Sequence, residues 1–127
     1  MNIDVGALAS ARSECSKLLD EQMGVIGVVI SSEDGFDIAS AVTGNLDPSK
    51  IAAMASSISA IGIVVSQEAS LGASKSITVN TEDGFVYIIN IELARKPCAL
   101  NVIANSSAIL AQIIYNCTEI KKRLSVS

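Results

Sequence analysis

Apolar runs separated by short polar turns divide the chain into eight predicted elements. The segment from Val25 to Ile30 is an unbroken apolar run, which is typical of a strand covered on both faces. Between Lys75 and Asn80, apolar Ile77 and Val79 alternate with polar residues, which indicates a strand at the edge of a sheet. We predict strands over residues 25–30, 36–42, 75–80, 85–93 and 98–104.

Two amphipathic helices are predicted at the ends of the chain. The first begins at about Ile3 or Asp4 and ends at Met23, before Gly24, and its apolar face contains Val5, Leu8, Cys15, Leu18 and Leu19. The last follows Asn105-Ser106-Ser107, whose side chains are suited to cap a helix, and its apolar face contains Leu110, Ile113, Cys117, Ile120 and Leu124.

A third helix is predicted in the middle of the chain. Asp47 is a good N-cap residue, and Pro48 suits the first helical position because it has a fixed φ and no amide donor. We expect this helix to end at Leu71, before Gly72. The element order α-β-β-α-β-β-β-α then predicts an α+β fold with one five-stranded antiparallel sheet and helices on both faces, forming a single domain over residues 1–127.

Two similar segments, Ser32–Phe36 and Thr81–Phe85, each contain Glu-Asp-Gly-Phe. Asp-Gly is favoured in two-residue hairpin loops with positive φ, so we predict hairpins at Asp34-Gly35 and at Asp83-Gly84. An acidic pair is also compatible with general acid–base chemistry or a divalent cation site. Solvated turn residues explain both pairs better.

Composition excludes several functions. The formal net charge is -4 and the basic residues are scattered, which argues against nucleic acid or an anionic membrane as a partner. The chain has no histidine, so Ser-His-Asp and Cys-His catalysis are excluded within one chain. Cys15, Cys98 and Cys117 indicate buried thiols in a reducing, cytoplasmic compartment. We predict no enzyme activity, no catalytic residue, no metal site and no cofactor.

The middle helix has no charged residue from Ile51 to Gln67, so neither of its sides has the charges expected of a surface helix. Its serines and the flanking charges argue against direct membrane insertion. A chain of this size with one sheet has no third layer to cover the outer side. We therefore predict a homodimer interface formed by Ile51, Met54, Ala55, Ile58, Ile61, Gly62 and Val65. The alternative is a monomer with a poorly charged surface helix.

The element order, the Glu-Asp-Gly-Phe turns, the Asp47-Pro48 helix start and the uncharged middle helix together resemble the Roadblock/LC7 family. The patterns from Val28 to Gly35 and from Ile88 to Ile91 add to the resemblance. It implies profilin-like layers and a homodimer that also uses the third strand, with Ser76 and Thr78 at the interface. It further implies a non-catalytic protein that binds a small Ras-like GTPase and modulates its GTP cycle or its localisation.

The expected partner-binding residues are on the middle helix: Lys50, Ser57, Gln67 and Glu68. Two other functions remain open. One is a structural adaptor of a larger complex, as dynein light chains of the family are. The other is a small-ligand sensor that uses the sheet face. The sequence lacks the convergent polar groups and the aromatic residues that usually line such a site, which argues against this function.

Overall fold

The computed structural model describes residues 3–126, which form one five-stranded sheet and three helices. In chain order the elements are α1 (Val5–Glu21), β1 (Val25–Ser32), β2 (Asp37–Val42), α2 (Pro48–Glu68), β3 (Ser76–Thr81), β4 (Gly84–Leu93), β5 (Lys96–Asn105) and α3 (Leu110–Ser125). The predicted element order is confirmed.

The sheet has the strand order β2-β1-β5-β4-β3, and each neighbouring pair is antiparallel. The apolar run of β1 lies between β2 and β5, and Val28, Val29 and Ile30 are fully buried. The central position predicted for this strand is therefore confirmed. So is the edge position of β3, which pairs with β4 alone among the described strands.

The helices lie on both faces of the sheet. Helices α1 and α3 cover one face and close the main core, to which α3 contributes the predicted stripe Ile113, Cys117, Ile120 and Leu124. Helix α2 crosses the opposite face over β1, β2 and β5. On α1 the buried residues are Ala7, Ala11, Cys15 and Leu18. The prediction for Val5 was wrong, because it lies in the first turn and is 81% exposed.

The hairpins form at the predicted places but with different loops. Among the described non-glycine residues, only Ser70, Ala94 and Arg95 have a positive φ, so neither Asp-Gly pair forms the expected loop. The β1–β2 connection spans residues 33–36, and the β3–β4 loop is Glu82-Asp83. The two-residue loop with two positive φ angles joins β4 to β5 instead.

Two helix ends also differ from the predictions. Asp47 caps α2 as expected, because its Oδ1 accepts a hydrogen bond from the Ser49 amide at 3.0 Å, but the helix ends at Glu68. The side chain of Asn105 accepts from the Ser107 amide in a turn, and α3 begins only at Leu110 without a side-chain cap. A turn therefore forms where the helix start was expected.

Candidate functional site

Helix α2 is the least buried large apolar element of the described structure. It has 21 residues, and only Ala52 and Ala55 are buried. By length and composition alone it could cross a membrane, since its mean hydropathy is 1.5 over the most apolar stretch, of which 11% is buried. In this fold it lies across the sheet, where the Ser56 hydroxyl donates to the Glu33 carbonyl at 3.0 Å.

The side of α2 that points away from the sheet is apolar at its centre. Met54 is 58% exposed, and Ile61 and Val64 are each 64% exposed. Val65 adds a further large exposed side chain beside them. We call these four residues the outer face of α2. Contiguous exposed apolar side chains of this kind usually mark an interaction surface.

The opposite side of α2 is formed by small residues that approach the sheet. Ala55 is 3% exposed, and a Cβ added to Gly62 would lie 2.8 Å from the Cδ1 of Ile77. Ala55 and Gly62 therefore lie on the sheet side, so their assignment to an exposed helix seam is corrected. Their small size serves close packing of α2 on its own sheet. Ile51 and Ile58 are half-buried between the two sides.

The outer face adjoins the open edge of β3. Contact between Gly62 and Ile77 brings the C-terminal half of α2 next to this strand. Ser76 and Thr78 are both exposed, and no described strand pairs with the outer side of β3. The helix face and the strand edge thus form one continuous surface, with apolar side chains on the helix and backbone hydrogen-bonding groups on the strand.

The expected partner-binding residues flank the same surface. Lys50, Ser57 and Glu68 are exposed and fall on one helical stripe with Ile61 and Val64, because their spacings of seven, four, three and four residues match the helical period. Lys50 and Glu68 therefore lie at its opposite ends, about 27 Å apart at 1.5 Å per residue. Gln67 is also exposed but lies off this stripe. Val64 was missed by sequence reasoning.

The described residues offer little to covalent or metal chemistry. No group of three or more Cys, Asp or Glu side chains within residues 3–126 is placed to hold a metal ion. Burial raises the pKa of the Cys15 and Cys117 thiols to about 12 and that of Cys98 to about 11, so these thiols stay protonated at neutral pH. The arrangement is suited to binding a macromolecule.

The sequence profile of the Roadblock/LC7 domain family matches residues 13–93, which is more than half of the chain. The chain belongs to the Roadblock/LC7 family. The matched region runs from within α1 to the end of β4 and therefore includes α2 and β3. A comparison with curated protein sequences gives no significant match.

Solved structures with the same fold include other Roadblock/LC7 proteins. MglB of Myxococcus xanthus is 15% identical, with a TM-score of 0.84 over 98% of this chain and 92% of that one. A Roadblock/LC7 domain from Streptomyces avermitilis is 18% identical, with a TM-score of 0.79 over 88% and 92%. An MglB described as having a tetrameric arrangement is 12% identical, with a TM-score of 0.85 over 97% and 90%. At sequence identities of 12–18%, the similarity to these structures shows that the chain has the same fold.

Proposed function

We propose that this chain is a non-catalytic regulatory protein that forms a homodimer through α2 and β3 and binds a small Ras-like GTPase. The observation that carries the proposal is the outer face of α2, where four large apolar residues are more than half exposed. Its continuity with the open edge of β3 supports a two-fold arrangement, in which the same surface of each copy meets the other.

Estimated association energies favour a dimer that uses the outer face of α2 and the edge of β3 together. Two copies of the outer face place eight large side chains in contact, and burying their exposed fraction contributes about 7–14 kcal/mol. Association costs about 4–15 kcal/mol in lost translational and rotational freedom. Helix contact alone therefore leaves a small margin, and backbone hydrogen bonds between two β3 strands would supply the rest. Such pairing would extend the sheet across both copies.

The GTPase partner rests on membership of the Roadblock/LC7 family and on the resemblance described above. In this proposal the GTPase supplies its own phosphate-binding and magnesium chemistry. The partner changes the rate by favouring one arrangement of the GTPase switch loops. In the proposal, Lys50 and Glu68 orient the GTPase, since they are exposed charged residues at the two ends of the outer face. The unpaired, buried thiols support a cytoplasmic location.

The test uses the purified chain and Ras-like GTPases from the same organism. We expect a complex in light scattering with one nucleotide state of the GTPase, and a changed rate of single-turnover GTP hydrolysis or nucleotide release. Replacing Lys50 and Glu68 by alanine should weaken binding at least about tenfold. Replacing Lys121, an exposed lysine of α3, provides the control and should leave binding unchanged.

Two outcomes separate the alternatives. Binding without any change in the GTPase rates would make the chain a structural adaptor. No binding to any Ras-like GTPase in either nucleotide state would contradict the proposed partner. The homodimer is tested separately, by light scattering of the chain alone.

A further inference from the structure

A cavity of about 520 Å³ lies between α2 and the end of the sheet at which β1 ends and β5 begins. Ser31 of β1 and Asn90 of β4 both pair with Ala99 of β5, so the three residues form one row across its floor. Ser59 and Ile63 of α2 lie on its roof. The volume is within the range of about 300–1,000 Å³ that is usual for small-molecule sites.

Part of the apolar wall of this cavity is left in contact with water. Ile63 is 50% exposed although it lies on the roof, whereas Ala52, about three turns earlier on the same side of α2, is fully buried. The methyl side chain of Ala99 leaves the space beneath Ile63 open, and Ile91 and Pro97 also line it. An apolar occupant would remove these surfaces from water, which is favourable.

Four serine hydroxyls line the cavity, and two of them have a proton without an acceptor. The Ser32 hydroxyl donates to Asp34 Oδ1 at 2.7 Å, and the Ser56 hydroxyl donates to a backbone carbonyl at 3.0 Å. The hydroxyls of Ser31 and Ser59 donate to no acceptor within residues 3–126. Ser31 is only 1% exposed, and a buried donor without an acceptor is costly. The floor of the cavity is therefore suited to a ligand that brings an acceptor.

Asn101 restricts the direction of the Ser31 proton from behind. It is fully buried and does not itself line the cavity, and its Nδ2 donates to the Ser31 hydroxyl oxygen at 3.0 Å. That hydrogen bond occupies one lone pair of the oxygen, so the Ser31 proton must point away from Asn101. A hydroxyl that accepts a hydrogen bond is also a stronger donor. Asn101 is thus a positioning residue for Ser31.

The charges at the cavity disfavour an anion. Among the described residues that line it, Glu33 and Asp34 are the only charged ones, and both are exposed. They repel a carboxylate or a phosphate. Because they are solvated, they offer a cation only a weak surface contact. The Ser31 and Ser59 protons need an acceptor, which an ammonium group does not have. An uncharged ligand with an acceptor fits all of these groups.

We propose that this cavity binds a small neutral molecule that has an apolar body and a carbonyl group. The carbonyl oxygen accepts a hydrogen bond from Ser31, with Ser59 as a second donor, and the apolar body lies between Ala99 and Ile63. This goes beyond the proposed regulatory function. It does not depend on a GTPase partner, because every residue that it uses belongs to one copy of the chain.

The probes are acetophenone, ethylbenzene, benzoate and 1-phenylethylammonium, which share a phenyl ring and differ in the attached group. We expect amide chemical-shift changes at Ser31, Ser59 and Ala99 on titration of the full chain with acetophenone. Benzoate should bind at least about tenfold more weakly than acetophenone. Tighter binding of the ammonium or of benzoate than of the ketone would overturn the proposal.

Serine variants test the hydrogen bonds. Ser31→Ala and Ser59→Ala should each weaken acetophenone binding by about threefold to tenfold without weakening ethylbenzene binding, because only the ketone accepts a proton. Ser56→Ala is the matched control, since Ser56 lines the same cavity but its hydroxyl is already engaged. It should leave the affinities for both probes unchanged. Equal losses for ketone and hydrocarbon would contradict the proposal, because the serines would then contribute shape alone.

A second pair of variants locates the site. Ala99→Leu fills the cavity and should weaken acetophenone and ethylbenzene binding at least about tenfold, whereas Ala9→Leu, on the exposed side of α1, should leave both unchanged. Absence of shifts at the cavity residues up to the solubility limit of acetophenone would show that the cavity holds water only, which overturns the proposal. Binding restricted to peptides would also overturn it, because the site would then be a protein contact.

Discussion

Gly24 lies so close to Ala108 that a Cβ on Gly24 would be 2.4 Å from the Ala108 amide nitrogen. The carbonyl of Gly24 also accepts a hydrogen bond from the Asn105 amide at 2.8 Å. The connection between α1 and β1 is thereby joined to the connection between β5 and α3. Glycine is required here both for the close approach and for its φ of 85°.

Gly24→Ala should therefore be far more destabilising than Gly72→Ala. Both glycines have a φ of 85°, but a Cβ on Gly72 would meet no atom within 4 Å. We expect a loss of about 1–2 kcal/mol from backbone strain at Gly72. At Gly24 we expect about 2 kcal/mol more, because the backbone of Ala108 must move. Urea unfolding measures both variants, and equal losses would contradict the close approach.

Ile61→Asp should convert the proposed dimer into a monomer. A carboxylate in the middle of the outer face cannot be buried against a second apolar copy without a large desolvation cost. Light scattering should give the monomer mass, while circular dichroism stays unchanged because Ile61 is 64% exposed within one copy. Met23→Asp is the control, since Met23 is 70% exposed but lies outside α2. A wild-type monomer at micromolar concentration would contradict the dimer.

The Glu14–Arg123 pair should contribute more than the Glu119–Lys122 pair. Arg123 reaches Glu14 with two hydrogen bonds, of 2.6 and 3.1 Å, and the Glu14 side chain is 12% exposed. Glu119 and Lys122 form a more exposed contact within α3. Double-mutant cycles should give about 1 kcal/mol for the first pair and under about 0.5 kcal/mol for the second. Similar coupling energies would show that the second hydrogen bond between Arg123 and Glu14 adds nothing to the free energy of unfolding.

Stability should fall in alkaline solution because of the buried thiols. Burial raises the pKa of Cys117 from 9.0 to about 12, so the unfolded chain loses this proton at a lower pH than the folded one. The contribution is complete below about pH 9 and declines as the pH rises toward the folded value. Urea unfolding with reductant between about pH 8 and about pH 10 should show a shallower decline for Cys117→Ala. Parallel declines would contradict the raised pKa.

Replacing the β4–β5 loop by Asn-Gly should stabilise the protein. Ala94 and Arg95 have φ values of 52° and 63°. A positive φ is less strained for Asn or Gly than for other residues, so both positions favour Asn or Gly. The double variant Ala94→Asn and Arg95→Gly should gain about 1–2 kcal/mol in urea unfolding. Arg95→Ala keeps the strain and removes the exposed guanidinium, so it separates the backbone effect from the effect of the lost charge; an unchanged free energy of unfolding in the double variant would contradict the strain.

Elements specified by local chemistry could be predicted from the sequence. The Asp47-Pro48 pair is sufficient to start α2, because the cap and the fixed φ act within one turn. The apolar run of β1 similarly requires cover on both faces, whatever its neighbours are. Predictions failed where a distant contact decides. The similar Asp-Gly pairs lie in different loops, and the β1–β2 connection is also held to α2 by the hydrogen bond from the Ser56 hydroxyl to the Glu33 carbonyl.

The orientation of α2 could not be predicted because both of its sides are apolar or small. The sequence gives no charged stripe to mark the outer side, so Ala55 and Gly62 were placed on the wrong one. The buried hydrogen bond from the Asn101 side-chain amide to the Ser31 hydroxyl was also missed, for a different reason. Ser31 and Asn101 are 70 residues apart, and only the antiparallel register of β1 and β5 brings their side chains together.

The strand order has a consequence for synthesis on the ribosome. Val29 at the centre of β1 pairs with Asn101 of β5, so the apolar middle of the sheet cannot close until almost the whole chain has emerged. At about 5–20 residues per second, the β1–β2 hairpin waits about 3–13 s for β5, with the β1 edge open. During that interval nascent chains are vulnerable to aggregation, and a truncation before β5 leaves the vulnerability permanent.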